Sequence, residues 1–142
     1  MSLLRILVAD DHKAMRDRIV QHLETEFEVI GSVGDGYAVL EAESRMQPDV
    51  CVLDISMPKL SGIEAARELR TRGSTSKVVF FTVHQDPDLL EAALDSGTLG
   101  YVVKSRMALD LIPAIYSAVN GHLFVSPSCS FPDFQENQSN GS

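Results

Sequence analysis

Five polar residues directly follow or end short apolar runs, and together they have the chemistry of phosphoryl transfer. They are Asp10 and Asp11 after RILVA, Asp54 after VCVL, Thr82 at the end of VVFFT, and Lys104 after LGYVV. Three clustered carboxylates repel one another unless a cation lies among them. Mg²⁺ is the cation that accepts carboxylate oxygens, waters and a substrate phosphate in one shell. A carboxylate can also attack phosphorus to give an aspartyl phosphate, while an ammonium and a hydroxyl stabilise the phosphoryl oxygens. The pattern predicts a magnesium-dependent phosphoryl-transfer site if the fold brings these positions together.

The apolar runs are expected to be strands of a parallel sheet that is buried on both faces. They are Arg5–Ala9, Glu28–Val33, Val50–Leu53, Val78–Thr82 and Leu99–Val103. Apolar residues at helical spacing predict five helices, which cover Lys13–Thr25, Tyr37–Met46, a segment capped by Ser61 that includes Ile63–Arg70, a segment from Pro87 to just before Gly97, and Ala108–Val119. Alternating strands and helices form right-handed βαβ units, hence a three-layer α/β sandwich. Ligands of such sheets bind beyond the carboxyl ends of the strands, where the five polar residues stand.

Two segments fit this pattern less well. Pro113 falls inside the last predicted helix and should kink it or delay its start. From Ser126 onward the sequence consists largely of Ser, Pro, Asn, Gln and Gly. We therefore assign residues 1–125 to one domain and residues 126–142 to a linker or tail.

Composition excludes several classes of function. The chain of 142 residues carries a formal net charge of −8, which disfavours direct binding of nucleic acid or an anionic membrane by this chain alone. We expect a cytoplasmic protein with no membrane association, because no apolar run approaches the roughly 20 residues that span a bilayer and the start has no leader pattern. Cys51 lies in an apolar run and Cys129 in the polar tail, so we expect no structural disulfide between them.

Each site residue also has an ordinary structural interpretation when it is considered alone. Asp10 and Asp11 are good helix caps, Thr82 is a common strand residue, and Lys104 is an ordinary surface lysine. Asp54 is harder to explain in this way, because a carboxylate directly after an apolar run is expected to be partly buried, where an unpaired charge is costly. The coincidence at four strand ends favours a chemical site.

In this order, the motifs resemble the receiver domains of response regulators over about residues 3–125. The matching pieces are Asp10-Asp11, the segment DISMPKLSG that begins at Asp54, Thr82, and the YVVK that begins at Tyr101 and ends at Lys104. The resemblance implies a flavodoxin-like sheet of strand order 2-1-3-4-5 and a phosphorylation switch of a two-component system that is not an enzyme. It also implies residue roles: Asp54 as phosphoacceptor, Asp11 as a direct Mg²⁺ ligand, Asp10 acting through a bound water, the Ser56 backbone carbonyl as a further ligand, Lys104 pairing with the phosphoryl group, and Thr82 with Tyr101 as the switch.

The sequence departs from the family pattern in places. The family often has a proline after the lysine, with a cis peptide bond; Ser105 stands there, and a cis bond before it would cost about 2.5–4 kcal/mol. Ser56 and His84 border the site and are expected to tune the rates of phosphotransfer and dephosphorylation. Tyr101 is explained almost equally well as an aromatic at the edge of the core. His12, His22 and His122 show no metal-binding spacing.

The resemblance implies a sensor histidine kinase as phosphoryl donor and a possible homodimer on phosphorylation. The dimer face would involve the fourth and fifth helices, or the first and fifth; candidate contacts, which could equally be core residues, are Leu89, Ala93, Ile112 and Tyr116. The segment NGHLFVSP, which ends at Pro127, resembles the end of receivers in transcription regulators of the NarL/FixJ type. Two functions stay open: the receiver part of a DNA-binding regulator, or a stand-alone receiver that acts by protein contact or as a phosphorelay intermediate. A phosphohydrolase is disfavoured because Ser56 is a poor general acid or base.

Overall fold

The computed structural model describes residues 3–83 and 86–127, and within them strands alternate with helices. The strands are β1 Arg5–Ala9, β2 Glu28–Val33, β3 Val50–Asp54, β4 Lys77–Thr82, β5 Gly100–Val103 and β6 Phe124–Val125. The helices are α1 Lys13–Leu23, α2 Gly36–Met46, α3 Gly62–Thr71, α4 Pro87–Asp95 and α5 Met107–Val119, with a 3₁₀ turn at Lys104–Arg106. The predictions for His84, Cys129 and the tail from residue 128 lie outside the described residues.

The strands form one parallel sheet of six strands in the order β2-β1-β3-β4-β5-β6. The predicted order of the first five strands is confirmed. The expectation of a five-stranded sheet omitted β6, which pairs with β5 through Phe124 and Val125. Two residues are too few to show a strand pattern in the sequence, so only the pairing reveals this strand.

Helices cover both faces of the sheet, which explains why the strands are almost entirely apolar. On one face α2, α3 and α4 pack over inward side chains of the strands, including Leu7, Leu53, Phe80 and Tyr101. On the other face α1 and α5 pack over the alternate side chains, including Ile6, Val8, Val52, Val79 and Phe81. Cys51 is fully buried in the first cluster, as expected for a small core residue.

Local sequence signals mark the starts of α3 and α4. Ser61 begins α3 with a capping box, since its hydroxyl accepts the Glu64 amide and the Glu64 carboxylate accepts the Ser61 amide. Pro87 is the first residue of α4, behind an Asp86 cap. Among the described residues no helix is long and apolar enough to cross a membrane.

Helix α5 departs from the prediction. It begins at Met107, one residue before the predicted start, and it continues through Pro113. The expectation that Pro113 delays the start is therefore wrong. The proline leaves the carbonyl of residue 109 without a helical donor, but Leu109 is 69% exposed and Pro113 is also exposed, so water can satisfy that carbonyl.

The chain beyond α5 stays attached to the sheet as far as Ser126. This serine is 1% exposed, and its amide donates to the Tyr101 carbonyl at 2.9 Å. The proposed boundary between residues 125 and 126 stays a prediction, but Ser126 itself has the burial of a core residue.

Candidate functional site

Strand register brings the predicted site residues to one edge of the sheet. Ala9 lies beside Leu53, so the residues that follow, Asp10 and Asp54, leave neighbouring strands at the same level. On the other side Asp54 lies beside Phe81 of β4. Thr82 in turn lies beside the last residue of β5, directly before Lys104. The parallel sheet thus gathers the polar ends of β1, β3, β4 and β5.

Lys104 connects two of the carboxylates. Its Nζ lies 3.2 Å from Asp10 Oδ2 and 3.2 Å from Asp54 Oδ2. The Asp10 side chain is 0% exposed, that of Asp54 5% and that of Lys104 11%. The ammonium also lies 5.1 Å from the centre of the Phe81 ring, a cation–π distance. A single cation therefore pairs with two carboxylates that are almost fully buried. Coulombic attraction is far stronger in such a buried site than in bulk water.

The Asp54 carboxyl is poised between its two protonation states. Burial raises its pKa to about 6, while Lys104 opposes this rise and the Asp10 carboxylate adds to it. The Ser56 amide donates to Asp54 Oδ1 at 3.2 Å and stabilises the ionised form. At neutral pH the carboxylate predominates, so Asp54 is available as an oxygen nucleophile.

Asp10 also accepts a backbone hydrogen bond in the turn before α1. Its Oδ1 accepts the backbone amide of His12 at 2.9 Å, and His12 is the N-cap residue. This bond fixes the turn before α1 but does not cap the helix, which has no side-chain cap hydrogen bond, and the other Asp10 oxygen contacts Lys104. Both interactions are compatible because a carboxylate has two acceptor oxygens.

Asp11 stands at the open side of the site with His12 beside it. Its carboxylate is 31% exposed, and His12 Nδ1 lies 3.2 Å from Asp11 Oδ1 and 3.6 Å from Asp10 Oδ1. Within residues 3–83 and 86–127, Asp10, Asp11 and His12 are the set of three potential ligands whose atoms lie within 4.8 Å of one another. Sequence reasoning missed His12, because a histidine next to two aspartates has no recognisable metal spacing. Only the turn into α1 brings its ring back beside them.

Thr82 and Tyr101, the proposed switch pair, are both 0% exposed. The Tyr101 ring belongs to the core cluster under α3 and α4 and is among the largest fully buried side chains. It therefore lies inside the core and not at its edge. Its inward position is the one that the switch hypothesis assigns to the phosphorylated state; the movement itself stays a prediction.

The loop after β3 is compact because a glycine closes it. The Gly62 amide donates to the Ile55 carbonyl at 2.8 Å. A β-carbon at Gly62 would lie 2.3 Å from the Asp54 carbonyl oxygen, so no side chain fits there. Ser56 lies exposed in this loop. Across the site, the bond between Lys104 and Ser105 is trans, like all the described peptide bonds.

The candidate dimer residues differ in their exposure. Ala93 is 0% exposed and belongs to the core, while Leu89 and Ile112 are half-buried. Tyr116 is 43% exposed, and its hydroxyl donates to Glu26 at 2.6 Å. The large apolar side chains of α5 that a partner could reach therefore include Ile112, Tyr116 and the strongly exposed Leu109.

Comparison with known proteins gives one consistent result. The sequence model of the response regulator receiver domain matches residues 6–116. The transcriptional regulatory protein YvfU of Bacillus subtilis is 34% identical over 131 residues, which is 91% of this chain and 66% of YvfU. The receiver domain of the response regulator NarL from Mycobacterium tuberculosis superposes with a TM-score of 0.82 at 28% identity, covering 86% of this chain and 100% of that domain. A DNA-binding response regulator of the LuxR family from Staphylococcus aureus gives 0.80 at 28% identity, covering 83% and 100%.

This chain matches only part of the length of its relatives. This chain spans between about half and two thirds of the length of the first relatives, 66% of YvfU and 53% of the transcriptional regulatory protein DegU from Brevibacillus brevis. The likeness therefore concerns the part of those regulators that corresponds to residues 6–116 of this chain.

Proposed function

The chain belongs to the response regulator receiver domain family, the phosphorylation-activated switches of two-component systems, and on that premise we propose that Asp54 is its phosphoacceptor. The observation that carries this assignment is the placement of Asp54 Oδ2 and Asp10 Oδ2 around one buried ammonium, each 3.2 Å from Lys104 Nζ. Of the aspartates in the cluster, Asp54 ends the central strand β3, and its raised pKa reflects a desolvated, reactive carboxylate.

The reaction that this arrangement supports is transfer from a phosphohistidine of a sensor kinase. A carboxylate oxygen of Asp54 forms a bond to phosphorus, while the bond between phosphorus and the donor nitrogen breaks and its electron pair stays on the imidazole. Lys104, whose ammonium contacts the Asp10 and Asp54 carboxylates, would pair with the phosphoryl group. The Ser56 amide, at 3.2 Å from Asp54 Oδ1, holds the nucleophile in position.

The donor set fits Mg²⁺. Asp10, Asp11 and Asp54 bring three carboxylates to the site against one ammonium, which leaves negative charge uncompensated where two of the groups are almost fully buried. Oxygen donors with room for waters are what Mg²⁺ prefers. We assign Asp11 and Asp54 as direct ligands, Asp10 as a ligand through water, and the Ser56 backbone carbonyl as a further ligand. A bound Mg²⁺ would neutralise charge on the phosphoryl oxygens.

Thr82 and Tyr101 would transmit the new state. Thr82 ends β4 beside the residue that precedes Lys104, and in this proposal its hydroxyl approaches a phosphoryl group on Asp54. The buried ring of Tyr101 lies in the core cluster on the face that α2, α3 and α4 cover. We propose that phosphorylation favours this inward ring and thereby the surface formed by α4, β5 and α5, a bistable region of the usual switch type.

For the output, we propose that the chain is the receiver part of a DNA-binding transcription regulator. This proposal is supported by the transcriptional regulatory relatives, which are longer than this chain, and by the DNA-binding structural neighbour. The net charge of −8 argues against DNA contact by this chain itself. The same charge is compatible with the alternative, a stand-alone receiver that acts by protein contact. The reading frame downstream in the source genome distinguishes the two, because only the first predicts a helix-turn-helix there.

The assignment of the site is tested by titrating the protein with fluoroberyllate, a phosphoryl mimic, with and without Mg²⁺. We expect binding that needs Mg²⁺ and is lost in Asp54→Asn, while Asp35→Asn, at a partly exposed helix cap, binds as the wild type does. Equal binding by Asp54→Asn would overturn the assignment of Asp54.

A further inference from the structure

The short strand β6 and the serine after it are tied to β5 by side-chain as well as backbone hydrogen bonds. Ser126 Oγ accepts the Val103 amide at 3.1 Å, and the Ser126 amide donates to the Tyr101 carbonyl at 2.9 Å. One residue earlier, Val125 pairs with Tyr101 across the sheet. The chain that leaves α5 is therefore attached to the strand that ends at Lys104.

A buried carboxylate completes this attachment from the other side. Asp110 in α5 has a side chain only 6% exposed, and its Oδ2 accepts the Ser126 hydroxyl at 2.7 Å. Asp110 Oδ2 also accepts Arg106 Nε at 2.8 Å, and Asp110 Oδ1 accepts Arg106 Nη2 at 3.3 Å. A two-pronged pair of this kind fixes orientation as well as charge. We call Arg106, Asp110 and Ser126 the latch.

The latch holds both flanks of Lys104. On one side Val103, the preceding residue, is bonded to Ser126; on the other side Arg106, at the end of the 3₁₀ turn that begins at Lys104, is bonded to Asp110. Because Ser126 and Asp110 are bonded to each other, the two flanks cannot shift independently without breaking a buried hydrogen bond. Between these two flanks, the Lys104 side chain extends to the site, where its Nζ donates to Asp10 and Asp54.

We propose that Asp110 and Ser126 are positioning residues for Lys104, and that through them phosphorylation of Asp54 strengthens the attachment of residues 124–126 to β5. This rests on the proposed function, since it requires Lys104 to pair with the phosphoryl group. Coupling between two sites is reciprocal. An intact latch therefore favours the phosphorylated site, and a phosphorylated site holds the departing chain more firmly.

The first test uses the wild-type protein and amide hydrogen exchange by NMR, with Mg²⁺ alone and with Mg²⁺ and fluoroberyllate. We expect the Ser126 and Val103 amides to exchange about three- to ten-fold more slowly when fluoroberyllate is bound, the range that one strengthened hydrogen bond supplies. The Glu28 amide, bonded to Leu4, and the Lys77 amide, bonded to Asp49, lie at the start of their strands, away from the site, and serve as internal references. Unchanged exchange at Ser126 and Val103 in protein that binds fluoroberyllate would overturn the coupling.

The second test measures the affinity for fluoroberyllate in variants. Ser126→Ala and Asp110→Asn should each weaken it about three- to ten-fold, and the double variant should lose less than the sum because the residues form one network. Ser117→Ala is the matched control: its hydroxyl donates to the His122 carbonyl at 2.8 Å, within the same α5–β6 connection, and not to β5. It should lower thermal stability yet leave the affinity for fluoroberyllate unchanged. If Ser126 had only a structural role, Ser126→Ala would behave in the same way as this control.

The outcomes separate the two proposals. Fluoroberyllate affinity that is the same in the wild type and in all four variants would overturn the latch and leave the assignment of Asp54 intact. No binding by the wild-type protein in the presence of Mg²⁺ would count against the proposed function, and the latch would fall with it.

Discussion

The ammonium of Lys104 lies at the same distance, 3.2 Å, from one oxygen of Asp10 and one oxygen of Asp54. These residues come from three strands and are far apart in the sequence, yet they form the least exposed charged group of the site. Breaking a buried ion pair by removing one partner is costly, because it leaves the other charge uncompensated. This triad is therefore a structural element, and in our proposal it is also the feature on which phosphoryl transfer depends.

Removal of the lysine should destabilise the metal-free protein. We expect Lys104→Ala to lower the free energy of unfolding near neutral pH by about 3 kcal/mol, and to lower it less near pH 4, where Asp54, whose pKa is about 6, is protonated and no longer repels Asp10. Urea unfolding at both pH values measures this. Lys13→Ala is the control, since its pair with Asp17 is exposed and worth at most about 1 kcal/mol. Equal losses in both variants would contradict the triad as a buried unit.

The raised pKa of Asp54 predicts a specific dependence of stability on pH. Since the pKa in the folded state, about 6, lies above the ordinary value of 3.8, the ionised form is disfavoured by folding. Below about pH 3.8, ionisation of Asp54 contributes nothing to the free energy of unfolding. As the pH rises from there through 6, it lowers the free energy of unfolding by a growing amount. In EDTA, Asp54→Asn should therefore melt at the same temperature as the wild type near pH 3.5 and higher by on the order of 5 °C near pH 8.

Mg²⁺ should reverse part of this difference. If the proposed site binds Mg²⁺ through its carboxylates, Mg²⁺ should raise the melting temperature of the wild type more than that of Asp54→Asn. Asp49→Asn is the control for loss of an aspartate outside the site, because Asp49 caps the Arg5 amide at the opposite end of β1. A melting difference between wild type and Asp54→Asn that does not vary with pH would refute the electrostatic explanation.

Gly62 is required by the close approach of α3 to β3. We expect Gly62→Ala to destabilise the protein by about 2 kcal/mol, within the range for overpacking, and to weaken fluoroberyllate binding, because its β-carbon would press on the Asp54 carbonyl. Gly73→Ala provides the comparison: its φ of +78° makes alanine unfavourable, but nothing lies within 4 Å. It should cost about 1 kcal/mol and leave binding unchanged. Loss of binding in both would mean that destabilisation alone explains the effect.

Cys51 should be chemically inert in the native protein. Burial raises the pKa of its thiol to about 12, so almost no thiolate exists near pH 8. In a Cys129→Ser background, a thiol reagent such as dithionitrobenzoate should react only after denaturant is added. Rapid reaction of the native protein would show that β3 opens far more readily than its complete burial implies.

The sequence was sufficient to predict the triad because each member ends or follows a recognisable strand. A parallel sheet aligns the carboxyl ends of its strands, so Asp10, Asp54 and Lys104 had to converge once the strands were assigned. The pairing of Thr82 with the end of β5 follows from the same alignment. What the sequence could not supply is that one lysine serves both aspartates, since that depends on side-chain reach.

The residues that the sequence analysis missed owe their roles to tertiary contacts. Phe124 and Val125 are too few to show a strand period, and Ser126 looks like the start of a polar tail. Asp110 interrupts an otherwise apolar helix face with no local sign that it has partners in Arg106 and in the chain beyond α5. Such long-range satisfaction of buried polar groups becomes visible only in the fold.

The central claim is that Asp54 accepts a phosphoryl group with the help of Mg²⁺. Incubation with acetyl phosphate, with Mg²⁺ or with EDTA, followed by intact mass measurement beside Asp54→Asn, tests it directly. We predict a gain of one phosphoryl group in the wild type with Mg²⁺, and no gain in EDTA or in Asp54→Asn. The same gain in Asp54→Asn, or its persistence in EDTA, would contradict the claim.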